Sequence, residues 1–225
     1  MMGCVLKAEA ADHVFESSQQ RTHLLELFTS QGCSNCPPAE AWLSKLKSEP
    51  RLWKDFVPLA FHVDYWDRLG WRDPFAAKES TARQYQYSEA WKNESVYTPG
   101  FVLDGREWMG RTVPASSKEK PGVLKLLINS QKIAAEFVPI GAGSKDADLH
   151  VATLGFDLVT KVGAGENSGR NLRQDFVVLS LANGKLSGGK GEVEVKSDAR
   201  GGAIAAWITA SNQMEPIQAV GGWLR

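Results

Sequence analysis

Apolar and polar positions along the chain follow two different rhythms, and the change falls near residue 135. In the first part, residues 24–28 form an almost unbroken apolar run, the pattern of a buried strand, interrupted by Glu26. A short polar loop follows, and then Ala39, Trp42, Leu43 and Leu46 recur at helical spacing with Glu40, Ser44, Lys45 and Lys47 between them. This spacing predicts a helix with one apolar face. Pro37 stands in its first turn, where a missing N–H costs nothing, and Pro50 lies beyond its end. Residues 57–63 predict a second strand, and residues 74–91, with Phe75, Ala82, Tyr85 and Tyr87, a second helix. Residues 96–109 predict two strands joined at Asp104-Gly105, a strong two-residue hairpin signal. Residues 116–135 predict a closing helix with Val123, Leu124, Leu127 and Ile128 on its apolar side.

Beyond Ala135 no helical period persists. Leu154, Phe156 and Leu158 alternate with polar or small residues, residues 176–179 form a buried-type run, and Val193 and Val195 alternate with Glu192, Glu194 and Lys196. Asn183-Gly184 predicts a hairpin turn, and residues 203–210 and 217–220 add two more strands. The expected organisation is therefore an N-terminal extension or truncated leader (1–21), an α/β domain (22–138) and a small antiparallel β domain (139–225), sandwich-like. Its exposed strand edges favour packing against the first domain.

Composition narrows the functional classes. Lys plus Arg and Asp plus Glu both number 26, so no basic field gathers nucleic acid. No apolar run approaches the length of a membrane-spanning helix. Residues 1–6 are apolar but short for a signal-peptide core, while Ala8-Glu9-Ala10 has the small-x-small form of a cleavage site and Gly3-Cys4 resembles the end of a lipoprotein signal. Three cysteines cannot form a disulfide framework, and Cys33 and Cys36 are too close in sequence for their bridge to constrain much chain. Their expected use is reactivity.

Cys33-Ser34-Asn35-Cys36 opens the first helix, whose unpaired N–H groups and partial positive charge favour a thiolate. Cys33 is the candidate nucleophile, and Cys36, one turn inward, the resolving thiol. The rival use of such a pair, half a zinc site, needs a second Cys or Cys/His pair that the chain does not supply, so no metal site is expected. Glu26 is a candidate proton acceptor if it is buried beneath the dithiol; otherwise it belongs to the solvated side of an edge strand. His62, Asp64, Trp66 and Trp71 lie in an aromatic and acidic connection that suits a site rim, with His62 also readable as a hydrogen-bonded core residue. The sequence 165–170, Gly-Glu-Asn-Ser-Gly-Arg, lacks the lysine of a phosphate-binding loop and reads as a structured turn. If it packs near the dithiol, Glu166 or Asn167 lines the site.

The order strand, Cys-x-x-Cys at a helix start, strand, helix, then Thr98-Pro99 before a hairpin resembles the thioredoxin fold over about half the chain. The resemblance implies that Cys33 attacks, Cys36 resolves, and Pro99 is a cis-proline beside the dithiol, with Thr98 offering backbone groups to a bound peptide. A closer likeness lies in Glu-Leu-Phe-Thr-Ser-Gln-Gly-Cys-Ser-x-Cys-Pro-Pro-Ala at 26–39, His-Val-Asp-Tyr-Trp-Asp at 62–67, Val-Tyr-Thr-Pro at 96–99 and the 165–170 turn. These stretches resemble a mostly bacterial, secreted, thioredoxin-like family known as domain of unknown function 1223. That likeness implies an extracytoplasmic location, although this chain departs from it in lacking a clear export signal, and it brings no established substrate.

The expected function is that of a thiol–disulfide oxidoreductase acting through Cys33 and Cys36 on a disulfide-containing protein or a small thiol, with no cofactor. A second class stands beside it: a non-catalytic binding or assembly module whose Thr98-Pro99 groove and β domain recognise a partner. A third, metal delivery through the dithiol, lacks an obvious third ligand.

Overall fold

Strands β2 (His23–Thr29) and β3 (Phe56–His62) are buried along their whole length and pair in parallel, Leu27 beside Ala60. Such strands need cover on both faces. Helix α1 (Cys36–Lys45) supplies it on one side, its Leu43 packing with Leu25 and Leu27. Helix α2 (Lys78–Ala90) supplies it on the other, its Tyr87 packing with Leu24 and Phe28. The computed structural model describes residues 12–110, 112–115 and 117–224. The expected leader signals and Cys4 lie outside the described residues.

The molecule is α/β, built on mixed sheets with few helices. In its eight-stranded sheet, β4 (Gly100–Leu103) runs antiparallel to β2 and turns into β5 (Arg106–Glu107). Asp104 (φ 50°) and Gly105 (φ 81°) occupy that turn in the left-handed conformation, as the Asp-Gly signal requires. On the other side of β3 come β11 (Val177–Leu186), β8 (Ala147–Gly155), β13 (Gly201–Thr209) and β14 (Pro216–Trp223). Strands from both sides of residue 138 thus share one sheet. A second sheet joins β1 (His13–Glu16), β6 (Gly122–Asn129), β7 (Lys132–Pro139) and β12 (Lys190–Glu194), and packs through Leu124, Leu126 and Phe137 onto Leu149, Val151 and Ile204. Strands β9 (Leu158–Lys161) and β10 (Asn171–Gln174) form a separate hairpin.

Two local expectations are corrected. The stretch expected as a closing helix is instead β6 and the start of β7. Apart from Lys125, residues 123–128 are apolar, too few polar positions to separate the two periods, and burial alternates at Leu124, Leu126 and Ile128. Asn183-Gly184 is not a turn either: both residues lie within β11, opposite His150 and Leu149. A Cβ at Gly184 would stand 2.5 Å from Val193 Cγ1, so this glycine serves the close approach of the two sheets. The turn is made at Gly188-Gly189, both with positive φ.

Gln218 on β14 ties the N-terminal segment to this sandwich. Its buried amide donates to the carbonyls of Ser18, Gln20 and Gly122, and its oxygen accepts from the N–H of Thr22 at 2.8 Å. Gln218→Leu leaves these groups without partners, at about 1–3 kcal/mol for each one that stays buried. The variant is expected to lose at least about 2 kcal/mol in urea unfolding.

Candidate functional site

After β2 the chain makes two successive tight turns, Cys33 N–H donating to Ser30 O and Cys36 N–H to Cys33 O, both at 3.2 Å. These turns set Cys36 as the first residue of α1, with Pro37 and Pro38 in the first helical turn. Cys33 and Cys36 are paired at disulfide distance, and both are buried, 1% and 0% exposed. The Thr98–Pro99 peptide is cis, and Thr98 O lies 3.6 Å from Cys33 Sγ.

The aromatic connection closes over this pair. Trp66 Nε1 donates to Thr98 Oγ1 at 2.8 Å, and a Cβ on Gly32 would come within 2.9 Å of Trp66 Cβ, so only glycine fits there. Trp71 Nε1 donates to Gln31 Oε1 at 3.0 Å. Trp66 and Trp71 therefore border the dithiol loop. The Asp64 carboxylate is engaged by α2, accepting from Thr81 Oγ1 at 2.6 Å.

The 165–170 turn reaches the same loop from the far half of the chain. Asn167, fully buried, donates from Nδ2 to Gln31 O at 3.0 Å and Cys33 O at 2.8 Å, while Arg170 donates to its Oδ1 at 2.7 Å. Glu166 accepts from the Ser34 N–H at 2.9 Å, and that bond holds its carboxyl below the usual range.

Beneath the loop lies a buried polar cluster. Glu40, one helical turn beyond Cys36 on the same face, accepts from Thr29 Oγ1 at 2.7 Å and from Gln174 Nε2 at 3.4 Å. Burial raises the Glu40 pKa, with the His62 charge and the Thr29 bond opposing. His62 Nδ1 and the Gln31 N–H both meet Asp73 Oδ2, at 2.7 and 2.8 Å. Burial works against charge on both His62 and Asp73, but their attraction outweighs it: His62 is raised and Asp73 lowered. His62 is thus both a bonded core residue and, through Asp73 and Gln31, a support of the dithiol loop.

Glu26 stands elsewhere. Side chains alternate along a strand, so residues 25, 27 and 29 face α1 while Glu26 faces α2. There it is fully buried rather than solvated, taking a bond from Arg83 Nε at 2.5 Å and another from the Tyr87 hydroxyl. The buried carboxylate that α1 itself carries is Glu40, which the helical reading placed among the polar positions between the apolar ones. The signal was available: Cys36, Glu40 and Leu43, the buried residues of α1, follow the i, i+4, i+7 spacing. Among the described residues no group of three or more His, Cys, Asp or Glu side chains is arranged to hold a metal ion, and no helix is long and apolar enough to cross a membrane.

Comparison with known proteins places this architecture. The crystal structure of a protein from Agrobacterium tumefaciens superposes with a TM-score of 0.65 at 27% identity, covering 92% of this chain and 96% of that one. HBP35 of Porphyromonas gingivalis superposes with a TM-score of 0.60 at 14% identity, covering 92% of this chain and 76% of that one, a likeness of fold alone. No curated protein matches the sequence. The family model described as protein of unknown function (DUF1223) matches residues 24–209, and the chain belongs to that family.

Proposed function

We propose that this chain is a thiol–disulfide oxidoreductase of thioredoxin-like build. The observation that carries the reading is the Cys33–Cys36 pair at the start of α1, with the backbone of a cis Thr98–Pro99 peptide against Cys33 Sγ. In the reducing direction the Cys33 thiolate attacks one sulfur of a substrate disulfide. A Cys33–substrate disulfide forms, and the other substrate sulfur leaves as a thiolate and takes a proton from water. Cys36 then loses its proton and attacks Cys33 Sγ. The substrate departs as a second thiolate and the protein is left as the disulfide, so two electrons have passed to the substrate. Thr98 and Pro99 offer the edge along which an extended substrate lies, with Trp66 and Trp71 at its rim.

The Cys36 proton needs an acceptor. The candidate from the sequence, Glu26, is engaged by Arg83 and Tyr87 on the α2 face. Glu40 suits the role better: it shares the buried face of α1 with Cys36, and its raised pKa makes it a stronger base than an ordinary carboxylate.

One observation favours the second reading, a binding module with a structural disulfide: both sulfurs are almost fully covered. Trapping separates the two. Reduced Cys36→Ser is expected to accumulate a Cys33-linked adduct with oxidised glutathione, read by intact mass, while Cys33→Ser forms none; without any adduct the binding-module reading stands alone.

The proton-acceptor role has its own test. Glu40 accepts a proton only when ionised, so the rate of Cys36 attack rises as pH rises through the raised Glu40 pKa. Glu40→Gln is expected to lose that limb of the profile and to slow resolution by about a hundredfold near neutral pH, in stopped-flow decay of a preformed mixed disulfide.

A further inference from the structure

Several of the donors that a helix start could offer Cys33 Sγ are missing or already engaged. A helix start ordinarily offers several unpaired N–H groups to an anion. Here Pro37 and Pro38 have none, and the Cys36 N–H is spent on Cys33 O. The Ser34 N–H, next along the chain from Cys33, is occupied by the Glu166 carboxylate at 2.9 Å. The Thr98–Pro99 segment brings a carbonyl oxygen to Cys33 Sγ, Thr98 O at 3.6 Å, and the negative end of a carbonyl dipole gives a thiolate no support. No Lys, Arg or His lies within residues 29–38 to compensate.

The charged groups around the loop come from three directions. Glu166 and Arg170 belong to the 165–170 turn, Arg170 being bound to Asn167. Arg68, from the aromatic connection, acts on Glu166. Glu40, His62 and Asp73 lie beneath.

We propose that the 165–170 turn sets the redox direction of the dithiol. Asn167 fixes the loop by its Cys33 carbonyl, Glu166 places a carboxylate where a Cys33 thiolate would otherwise find a donor, and the centre is thereby made an electron donor. This rests on the oxidoreductase reading and gives it a direction. Thiol–disulfide centres become strong oxidants when the reduced form is stabilised as a thiolate; withholding that stabilisation lowers the potential. The reduced dithiol gives two electrons and two protons to a substrate disulfide, which leaves as two thiols. A separate dithiol donor restores the protein by the reverse exchange. Glu166 thus acts on Cys33 as a positioning and electrostatic residue, without touching substrate.

The test is the Cys33 thiol pKa, read from the pH dependence of iodoacetamide alkylation in the reduced Cys36→Ser background, together with the equilibrium of the full dithiol protein against glutathione. The native turn is expected to keep the Cys33 pKa at or above that of a free cysteine, about 8.5, with the equilibrium far toward protein disulfide. Glu166→Gln is expected to raise the thiolate fraction at pH 7 by about threefold and to move the equilibrium toward the dithiol. Glu166→Lys moves both further in the same direction, and Glu166 is exposed enough for both variants to fold. A Cys33 pKa well below that of free cysteine with Glu166 in place, or one unmoved by Gln and Lys, overturns the proposal while leaving the oxidoreductase reading intact. A protein that exchanges with no disulfide fails the reading itself, and alkylation still reports what Glu166 does.

Discussion

Ala60 donates its amide to the Phe176 carbonyl at 2.8 Å, and Val177 lies beside Ala60 in parallel register. Through this narrow seam between β3 and β11 two halves of the chain become one sheet. Everything that the second half brings to the dithiol depends on it. The segment just before β11 carries Asn167, Glu166 and Gln174 to the loop and helix that hold Cys33, Cys36 and Glu40. Asp175, at the seam, is held by Lys47 from the turn that follows α1. The site is therefore a product of tertiary pairing and not of the Cys-x-x-Cys segment by itself.

What lies under the dithiol is unusual for a protein core. Gln31, Glu40, His62, Asp73, Asn167 and Gln174 are all buried together, yet the interactions among them supply partners for most of their polar atoms. Such a network is costly if any member is removed, because each lost partner strands another in a low-dielectric setting. It also fixes the loop more tightly than apolar packing would, since hydrogen bonds specify direction as well as distance. On the opposite face of the same sheet, Glu26, Arg83 and Tyr87 form a second buried set, with Arg83 lying over the Trp207 ring. One strand thus separates two polar clusters, and the alternation of its side chains decides which carboxylate belongs to the dithiol.

Much of this was legible in the sequence. The apolar run at 24–28, the paired prolines and Asp104-Gly105 each carry a local signal with one structural meaning, and β2, α1 and the β4–β5 hairpin follow from them. Residues 123–128 carried none, because a stretch whose one polar residue is Lys125 is compatible with either period until the opposing surface is known. Gly184 looked like a turn residue because the sequence does not show which glycine must admit a neighbouring sheet. Glu40 was legible only in part: its spacing from Cys36 and Leu43 marks the buried face, but its partner Gln174 comes from a distant strand. For Glu166 and Asn167 the composition of the turn was visible, but its proximity to Cys33 was conditional on a sheet pairing that no local pattern encodes.

The Asn167 bond to the Cys33 carbonyl spans 134 positions. During synthesis at typical rates of about 5–20 residues per second, roughly 7 to 27 seconds separate the emergence of the two residues. Over that interval the nascent chain carries its cysteines without the clamp and without the carboxylate on Ser34. The loop that carries Cys33 is consequently complete only when the distant half has been made. Order of assembly, as much as identity of residues, determines when the surroundings of this cysteine pair are complete.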